Sequence, residues 1–255
     1  MAKIKAHKDN FHTSEDVNFI LMLAAIGSTL FFLIGAGLSS TLYSNDIGNT
    51  NNGWSIGVCL LAISLLILSY LFFSKTIQLT TKWAGATIVI FFAASYLFTN
   101  SVISPYIFTP LPWYLKFTGL TIGVGSNIWW MRYSAKNIHK IFYDPELRET
   151  LFKEEDNRFI YKNGIHQTII EKKLKRHYFP HRLLWIILIP LQPFSFFIHK
   201  LITNSSGTST FSVFLSAISL PLSLMFNGLI VSLILIYFYY PSILRKTTGK
   251  EVHVV

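Results

Sequence analysis

Six long apolar blocks restrict what this chain can fold into. A helix needs about 20 consecutive apolar residues to cross the roughly 30 Å hydrocarbon core of a bilayer. The blocks show neither the alternation of a half-buried strand nor the apolar stripe of a surface helix. They run over Val17–Leu38, Trp54–Phe73, Trp83–Ile103, Leu115–Met131, Leu183–Ile198 and Phe211–Tyr239. The sequence therefore predicts an all-α membrane protein, a polytopic bundle of about six transmembrane helices.

The composition agrees with this class of protein. Charged residues make up 13% of the 255 positions, whereas soluble domains carry about 25%. The mean hydropathy is +0.45. Tryptophans lie near the block ends, as an interfacial aromatic belt requires.

The fifth block has an alternative interpretation. Pro190 and Pro193 remove two backbone donors within four residues, so this block either crosses the membrane or forms a re-entrant or broken helix. In the sixth block, Pro221 predicts a kink or a tilt.

The cations predict the orientation. With six spans, 20 of the 22 lysines and arginines lie in the four segments that share one side of the membrane. The other side keeps only Lys116 and Lys200. Because cytoplasmic loops carry an excess of such residues, we expect both termini to be cytoplasmic. Short loops favour a bacterial inner (plasma) membrane as the location.

The loop between the fourth and fifth blocks divides the chain into residues 1–132, 133–181 and 182–255, with four spans before it and two spans and a basic tail after it. Within it, Asp144 and Pro145 form an N-cap and first helical position, and Glu146 places an acid in the first turn. This pattern predicts a helix to about Glu155.

Asn163-Gly164 lies between two apolar-leaning runs, which predicts a β-hairpin, with a helix stop as the alternative. The loop is therefore a small α(+β-hairpin) unit, expected on the cytoplasmic side. Since 49 residues are too few for a convincing core, we expect the loop to pack on the helix ends or on a partner.

A basic stretch directly precedes the fifth block. It contains Lys172, Lys173, Lys175, Arg176 and Arg182. These residues are expected to mark the cytoplasmic side, and they are also candidates for partner docking or for contact with anionic lipid headgroups, at about 1 kcal/mol per cation. A nucleic-acid partner is not expected, because no folded basic domain or known motif is visible.

Small and polar residues within the blocks are candidates for helix packing or subunit contact. Gly119 and Gly123 form a GxxxG pattern, followed by Gly125, and such residues let helix backbones approach closely. Asn127 and Asn227 are candidates for interhelical hydrogen bonds. The alternative is that both asparagines line a pathway for a neutral solute.

Few residues suggest chemistry. The first, second, third and sixth blocks contain no Asp, Glu, Lys, Arg or His, which disfavours an ion-coupled transporter. Cys59 is the single cysteine, and Pro180 interrupts the helical spacing of His177 and His181. We expect no catalytic constellation, no cofactor and no metal.

Two functions fit these observations. The first is a non-enzymatic multi-span subunit or scaffold of a larger membrane assembly, such as a secretion or conjugation machine, which docks through its cytoplasmic loop. Its partners would be membrane lipids, including anionic ones, and other membrane-protein subunits. The second is a channel or carrier for a neutral solute, lined by Asn127, Asn227 and the proline-broken fifth block.

Overall fold

The computed structural model describes residues 14–41, 51–75, 77–108, 111–155, 158–161 and 207–254. The helices are α1 (Ser14–Thr41), α2 (Asn51–Phe73), α3 (Leu79–Phe108), α4 (Trp113–Tyr143), α5 (Pro145–Leu151), α6 (Gly207–Ile234) and α7 (Tyr240–Thr248), with a π-helical turn (Leu235–Tyr239) between α6 and α7. The strands are β1 (Phe152–Glu155), β2 (Arg158–Tyr161) and β3 (Glu251–Val254).

Four described helices are long and apolar enough to cross a membrane. The qualifying stretches are Glu15–Gly37, Ser55–Phe73, Leu79–Ile107 and Ile218–Thr248. They overlap the first, second, third and sixth predicted blocks, although the last stretch begins seven residues later and ends nine residues later than the predicted block. Large apolar side chains remain exposed along these helices, as expected of surfaces that face lipid.

The fourth and fifth blocks do not add to this number. The fourth lies within α4, which is not among the helices that are long and apolar enough to cross a membrane. The fifth block, with Pro190 and Pro193, lies outside the described residues.

Helix α3 is the centre of the bundle, with α1 on one side. The two helices run parallel, since Phe32 of α1 packs on Phe92 and the Asn100 amide, further along α3, donates to the Gly35 carbonyl at 3.0 Å. Helix α2 runs antiparallel to α1 and covers it. Gly57 of α2 permits this close contact, because a Cβ there would lie 2.7 Å from the Ala36 Cβ.

Helix α6 packs on the other side of α3 and runs antiparallel to it. At one end the rings of Trp83 and Tyr237 lie 6.3 Å apart, and at the other the Ser216 hydroxyl donates to the Val102 carbonyl at 2.9 Å. Helix α4 contacts both α3 and α6 and is parallel to α6.

The three short strands form one sheet at the end of the bundle where α3 begins. Its order is β1-β2-β3, with β1 antiparallel and β3 parallel to β2. The Gln78 amide, just before α3, donates to the Val252 carbonyl of β3 at 3.2 Å. We call this end of the molecule the sheet end.

The sheet is attached to the helices by a buried aromatic cluster. Phe152 of β1 and Phe159 of β2 pack with Ile138, Phe142 and Tyr240. The described part of the loop thus packs on the helix ends, which is one of the two arrangements that its small size predicts.

The loop departs from the sequence prediction after its first helix. Asp144 occupies the N-cap and Pro145 begins α5, as predicted, but α5 ends at Leu151 and not near Glu155. Residues 152–155 form β1 instead, because the strand places the Phe152 ring against Phe142, at 5.6 Å between centroids.

The observed hairpin also differs from the predicted one. It pairs β1 with β2, which only two residues separate, so that Phe152 is opposite Tyr161. The second edge of β2 is occupied by β3. The predicted turn at Asn163-Gly164 and the run after it lie outside the described residues.

Helix α4 continues well beyond the predicted end of the fourth span. The sequence suggests a loop from Arg132, whereas the helix runs to Tyr143. Ser134, Ile138 and Phe142 recur every fourth residue and are buried, which gives this extension one packed face. The helix ends where Asp144-Pro145 begins α5.

The π-helical turn lies where a proline disturbs α6. Pro241 lacks an amide hydrogen, and in a regular helix its ring would collide with the carbonyl four residues before it. The wider turn at Leu235–Tyr239 accommodates it. Tyr237 and Tyr240 are both buried as a result.

Candidate functional site

Buried and half-buried polar side chains from three helices meet near the middle of the bundle. They are Ser95 and Thr99 of α3, Asn127 of α4, and Ser223 and Asn227 of α6. We call this group the polar junction. Asn127 is 6% exposed and Ser223 is fully buried.

Asn127 is the centre of the junction. Its side-chain oxygen Oδ1 accepts two hydrogen bonds from α6, one from the Ser223 hydroxyl at 2.8 Å and one from the Asn227 amide at 2.6 Å. Its amide nitrogen donates to the Gly123 carbonyl one turn earlier, at 2.8 Å. Both ends of the Asn127 side chain are therefore used within the bundle.

Helix α3 joins through two hydroxyl groups. The Ser95 hydroxyl donates to Asn227 Oδ1 at 2.7 Å, and Thr99 and Ser223 share a hydrogen bond of 2.6 Å. Since the Ser223 proton is directed at Asn127, Thr99 is the donor in that pair. The junction is thus a connected set of hydrogen bonds that links all three helices.

Such a network has a large effect on helix register at membrane depth. An unsatisfied polar group in hydrocarbon costs several kcal/mol, whereas a single interhelical hydrogen bond gains about 0.6 kcal/mol on average. A shift of one helix would break several bonds and leave buried groups unpaired.

Amides and hydroxyls do not titrate near neutral pH, so the junction is suited to packing or to a neutral ligand and not to proton transfer.

The glycines of α4 have different surroundings. A Cβ at Gly119 would lie 2.2 Å from the Tyr106 ring of α3, and one at Gly123 would lie 2.9 Å from Val102. A Cβ at Gly125 would meet no described atom within 4 Å. The GxxxG pair thus packs on a helix of the same chain, and Gly125 lies on another face.

Sequence reasoning named Asn127 and Asn227 but missed their partners. Ser216, Ser219 and Ser223 precede Asn227 at intervals of three or four residues, which places all four on one face of α6. That spacing was a usable signal. Ser95 and Thr99 show the same spacing on α3.

A second feature is an open groove of about 460 Å³ at the sheet end. Its lining includes charged side chains of α5 and β1 (Arg148, Glu149, Lys153 and Glu154), and apolar ones such as Phe159 and Leu244. Lys250 forms an ion pair with Glu154 at 2.5 Å and lies 5.9 Å from the centre of the Phe159 ring. The groove offers both signs of charge beside an apolar surface.

The remaining candidates lie elsewhere. Lys172, Lys173, Lys175, Arg176 and Arg182 fall outside the described residues. Cys59 is exposed on α2. Among the described residues, no group of three histidine, cysteine, aspartate or glutamate side chains could hold a metal ion.

Comparison with known proteins gives no relative: the chain matches no protein family, no curated protein and no solved structure.

The two glycine environments predict opposite effects of one methyl group. Gly119→Ala should lower the free energy of unfolding by about 1–3 kcal/mol, because the methyl would force the Tyr106 ring away. Gly125→Ala has free space and should be neutral, or stabilising by up to about 1 kcal/mol. Reversible unfolding in mixed detergent micelles measures both, and equal effects would contradict the described α3–α4 contact.

Proposed function

We propose that this protein is a non-enzymatic multi-span subunit or scaffold of a larger assembly in a bacterial inner membrane, of the secretion- or conjugation-machine type. One observation carries the proposal. The polar side chains at membrane depth bond to one another across α3, α4 and α6, whereas the charged groove is open at the sheet end. Such an arrangement suits docking better than passage of a solute.

The proposal includes six spans. Helices α4 and α6 run parallel, because Asn127 bonds to Asn227 and, more than three turns on, His139 bonds to Tyr240. Since parallel helices in one bundle need a connection that returns along it, the interval 162–206 must cover that distance. Leu183–Ile198 is the apolar block in this interval and is the proposed fifth span.

The proposal also places both termini in the cytoplasm. The start of α3, the end of α4 and strand β3 all lie at the sheet end, and their neighbouring segments hold most of the cations. The positive-inside rule then assigns the sheet end to the cytoplasm.

Thiol labelling tests this topology. In a Cys59→Ser background, a cysteine at Ser44 should react with a membrane-impermeant reagent added outside intact cells, and a cysteine at Thr247 should react only after the cells are opened. Reaction at Thr247 in intact cells would remove the six-span arrangement with cytoplasmic termini.

The groove is the proposed docking surface for a protein partner. Arg148 and Lys153 are exposed beside Glu149 and Glu154, so a partner segment could form ion pairs of both polarities around an apolar contact. Anionic lipids are proposed as further partners of the basic residues next to the spans.

Mass measurement of the native complex tests the docking function. Extracted in mild detergent, the protein should have a mass well above that of one chain. The double variant Arg148→Glu/Lys153→Glu should lose the additional mass by reversing two charges of the groove. Lys75→Glu is the matched control, because it reverses an exposed charge at the same end outside the groove. Equal retention in both variants would exclude the groove as the docking surface.

The alternative is a channel or carrier for a neutral solute. It is favoured by the concentration of amide and hydroxyl groups around Asn127, halfway along the bundle. In that case the native mass should be that of the protein alone or of a small homo-oligomer.

A further inference from the structure

Arg132 lies much deeper in the bundle than the sequence suggests. Its neighbours on α4, Trp130 and Ser134, both adjoin Gly228, where a Cβ would lie 2.6 Å and 3.3 Å from their polar atoms. Gly228 follows Asn227, which is bonded to Ser95. Ser95 is close to the midpoint of the span Leu79–Ile107.

The register between α3 and α4, together with the rise per residue of a helix, gives the position of each α4 cation along the bundle axis. Asn127 is level with the stretch of α3 between Ser95 and Thr99, and each residue advances a helix by 1.5 Å. Arg132 therefore lies roughly 13 Å from the level of Trp83 toward the middle of the bundle. Lys136 lies roughly 7 Å from that level, and Lys140 lies near it, since Ile138 shares a cluster with Ala84.

The apolar stretches of α1 and α3 that could cross a membrane include the level of Trp83, since they run from Glu15 and from Leu79. Phe19 on α1 and Phe73 on α2 are exposed near that level, and Phe92 is exposed on α3 near the level of Arg132. Apolar side chains at these positions indicate a surface in contact with lipid. Arg132 and Lys136 therefore lie at the depth of the hydrocarbon core.

These cations occupy an exposed face of α4. Arg132, Lys136 and Lys140 recur every fourth residue and are exposed, following the exposed Trp129. We call them the α4 cation face. The ion pair of Lys250 with Glu154 lies on another element.

A charge at this depth requires a partner. Lysines near the end of a span can extend their ammonium groups to the interface. Arg132 is farther in, and helical side chains lean toward the helix N-terminus, which for α4 is away from the sheet end. A guanidinium there needs an anion within the membrane.

The apolar blocks of the sequence offer no carboxylate for this role. None of its twelve aspartates and glutamates lies inside an apolar block, and that includes Leu183–Ile198. Lipid phosphates lie in the headgroup layer, outside the hydrocarbon core. A transmembrane helix of another chain, in contrast, can carry a carboxylate at any depth.

We infer that the α4 cation face is an intramembrane interface for a transmembrane helix of another subunit, which carries an aspartate or glutamate opposite Arg132. The inference rests on the proposed function as a subunit of an assembly and names a second contact, separate from the groove. A carboxylate paired with Arg132 forms a charge-assisted, bidentate hydrogen bond in a medium of low dielectric constant.

A designed helix provides the probe. A fluorescent Leu/Ala peptide of about 25 residues, with one central Asp, is mixed with labelled protein in phosphatidylcholine nanodiscs, and energy transfer reports association. The Asp peptide should bind wild-type protein about tenfold more tightly than the same peptide with Leu, which corresponds to 1.4 kcal/mol. Arg132→Leu/Lys136→Leu should abolish this preference, and Lys116→Leu, at the other end of α4, should retain it.

A charge-reversed variant distinguishes the loss of the charge pair from misfolding of the protein. Arg132→Asp/Lys136→Asp should prefer a peptide with a central Lys, which an unfolded protein would not do. Equal binding of the Asp and Leu peptides to wild-type protein, or no binding of either, would overturn the inference. The inference would also be overturned if the preference for the Asp peptide disappeared when phosphatidylglycerol is added, because the anion that pairs with Arg132 would then be a lipid.

The two proposals fail separately. If the groove variants lose the native complex but the peptides show no preference, only the intramembrane interface is excluded. If the preference holds while the extracted protein has the mass of one chain, the interface stands and the proposed assembly does not.

Discussion

A polar group at membrane depth has to find its hydrogen-bond partner within the protein, and the architecture of this bundle depends on how that requirement is met at Asn127. One side-chain oxygen accepts from both Ser223 and Asn227, and α3 joins through hydroxyl groups. Because these bonds fix the register of α3, α4 and α6, they also set the contacts farther along the three helices. Gly119 meets Tyr106, and α4 runs beside α6 as far as Tyr240. The same register places Arg132 roughly 13 Å from the level of Trp83 toward the middle of the bundle.

The features that the sequence could predict are those encoded by local composition. Block lengths locate the four qualifying helices, because the thickness of a bilayer sets their length. Asp144 and Pro145 locate the start of α5, because the preference for these residue types at the first positions of a helix is local. The polar candidates Asn127 and Asn227 could be named from their residue type, but not the fact that they bond to each other.

The features that could not be predicted depend on contacts between distant segments. Strand β3 pairs with β2 from almost 100 residues away, and no local pattern in four residues reveals it. The extension of α4 past Met131 was hidden because its hydropathy falls there, although Ser134, Ile138 and Phe142 still pack as one face. As a result, Arg132, which the sequence assigns to a cytoplasmic loop, lies on α4 between Trp130 and Ser134, the two residues that pack on Gly228 of α6.

The most direct test of this account is a double-mutant cycle between Asn127 and Asn227. Free energies of unfolding in mixed micelles are compared for Asn127→Ala, Asn227→Ala and the double variant. Because Asn227 donates to Asn127 Oδ1, the account predicts a coupling of about 1 kcal/mol. Ser126→Ala is the control partner, since its hydroxyl bonds to Gly123 of its own helix and should add independently to Asn227→Ala. Additive effects at Asn127 and Asn227 would contradict the polar junction and the register of α4 that depends on it.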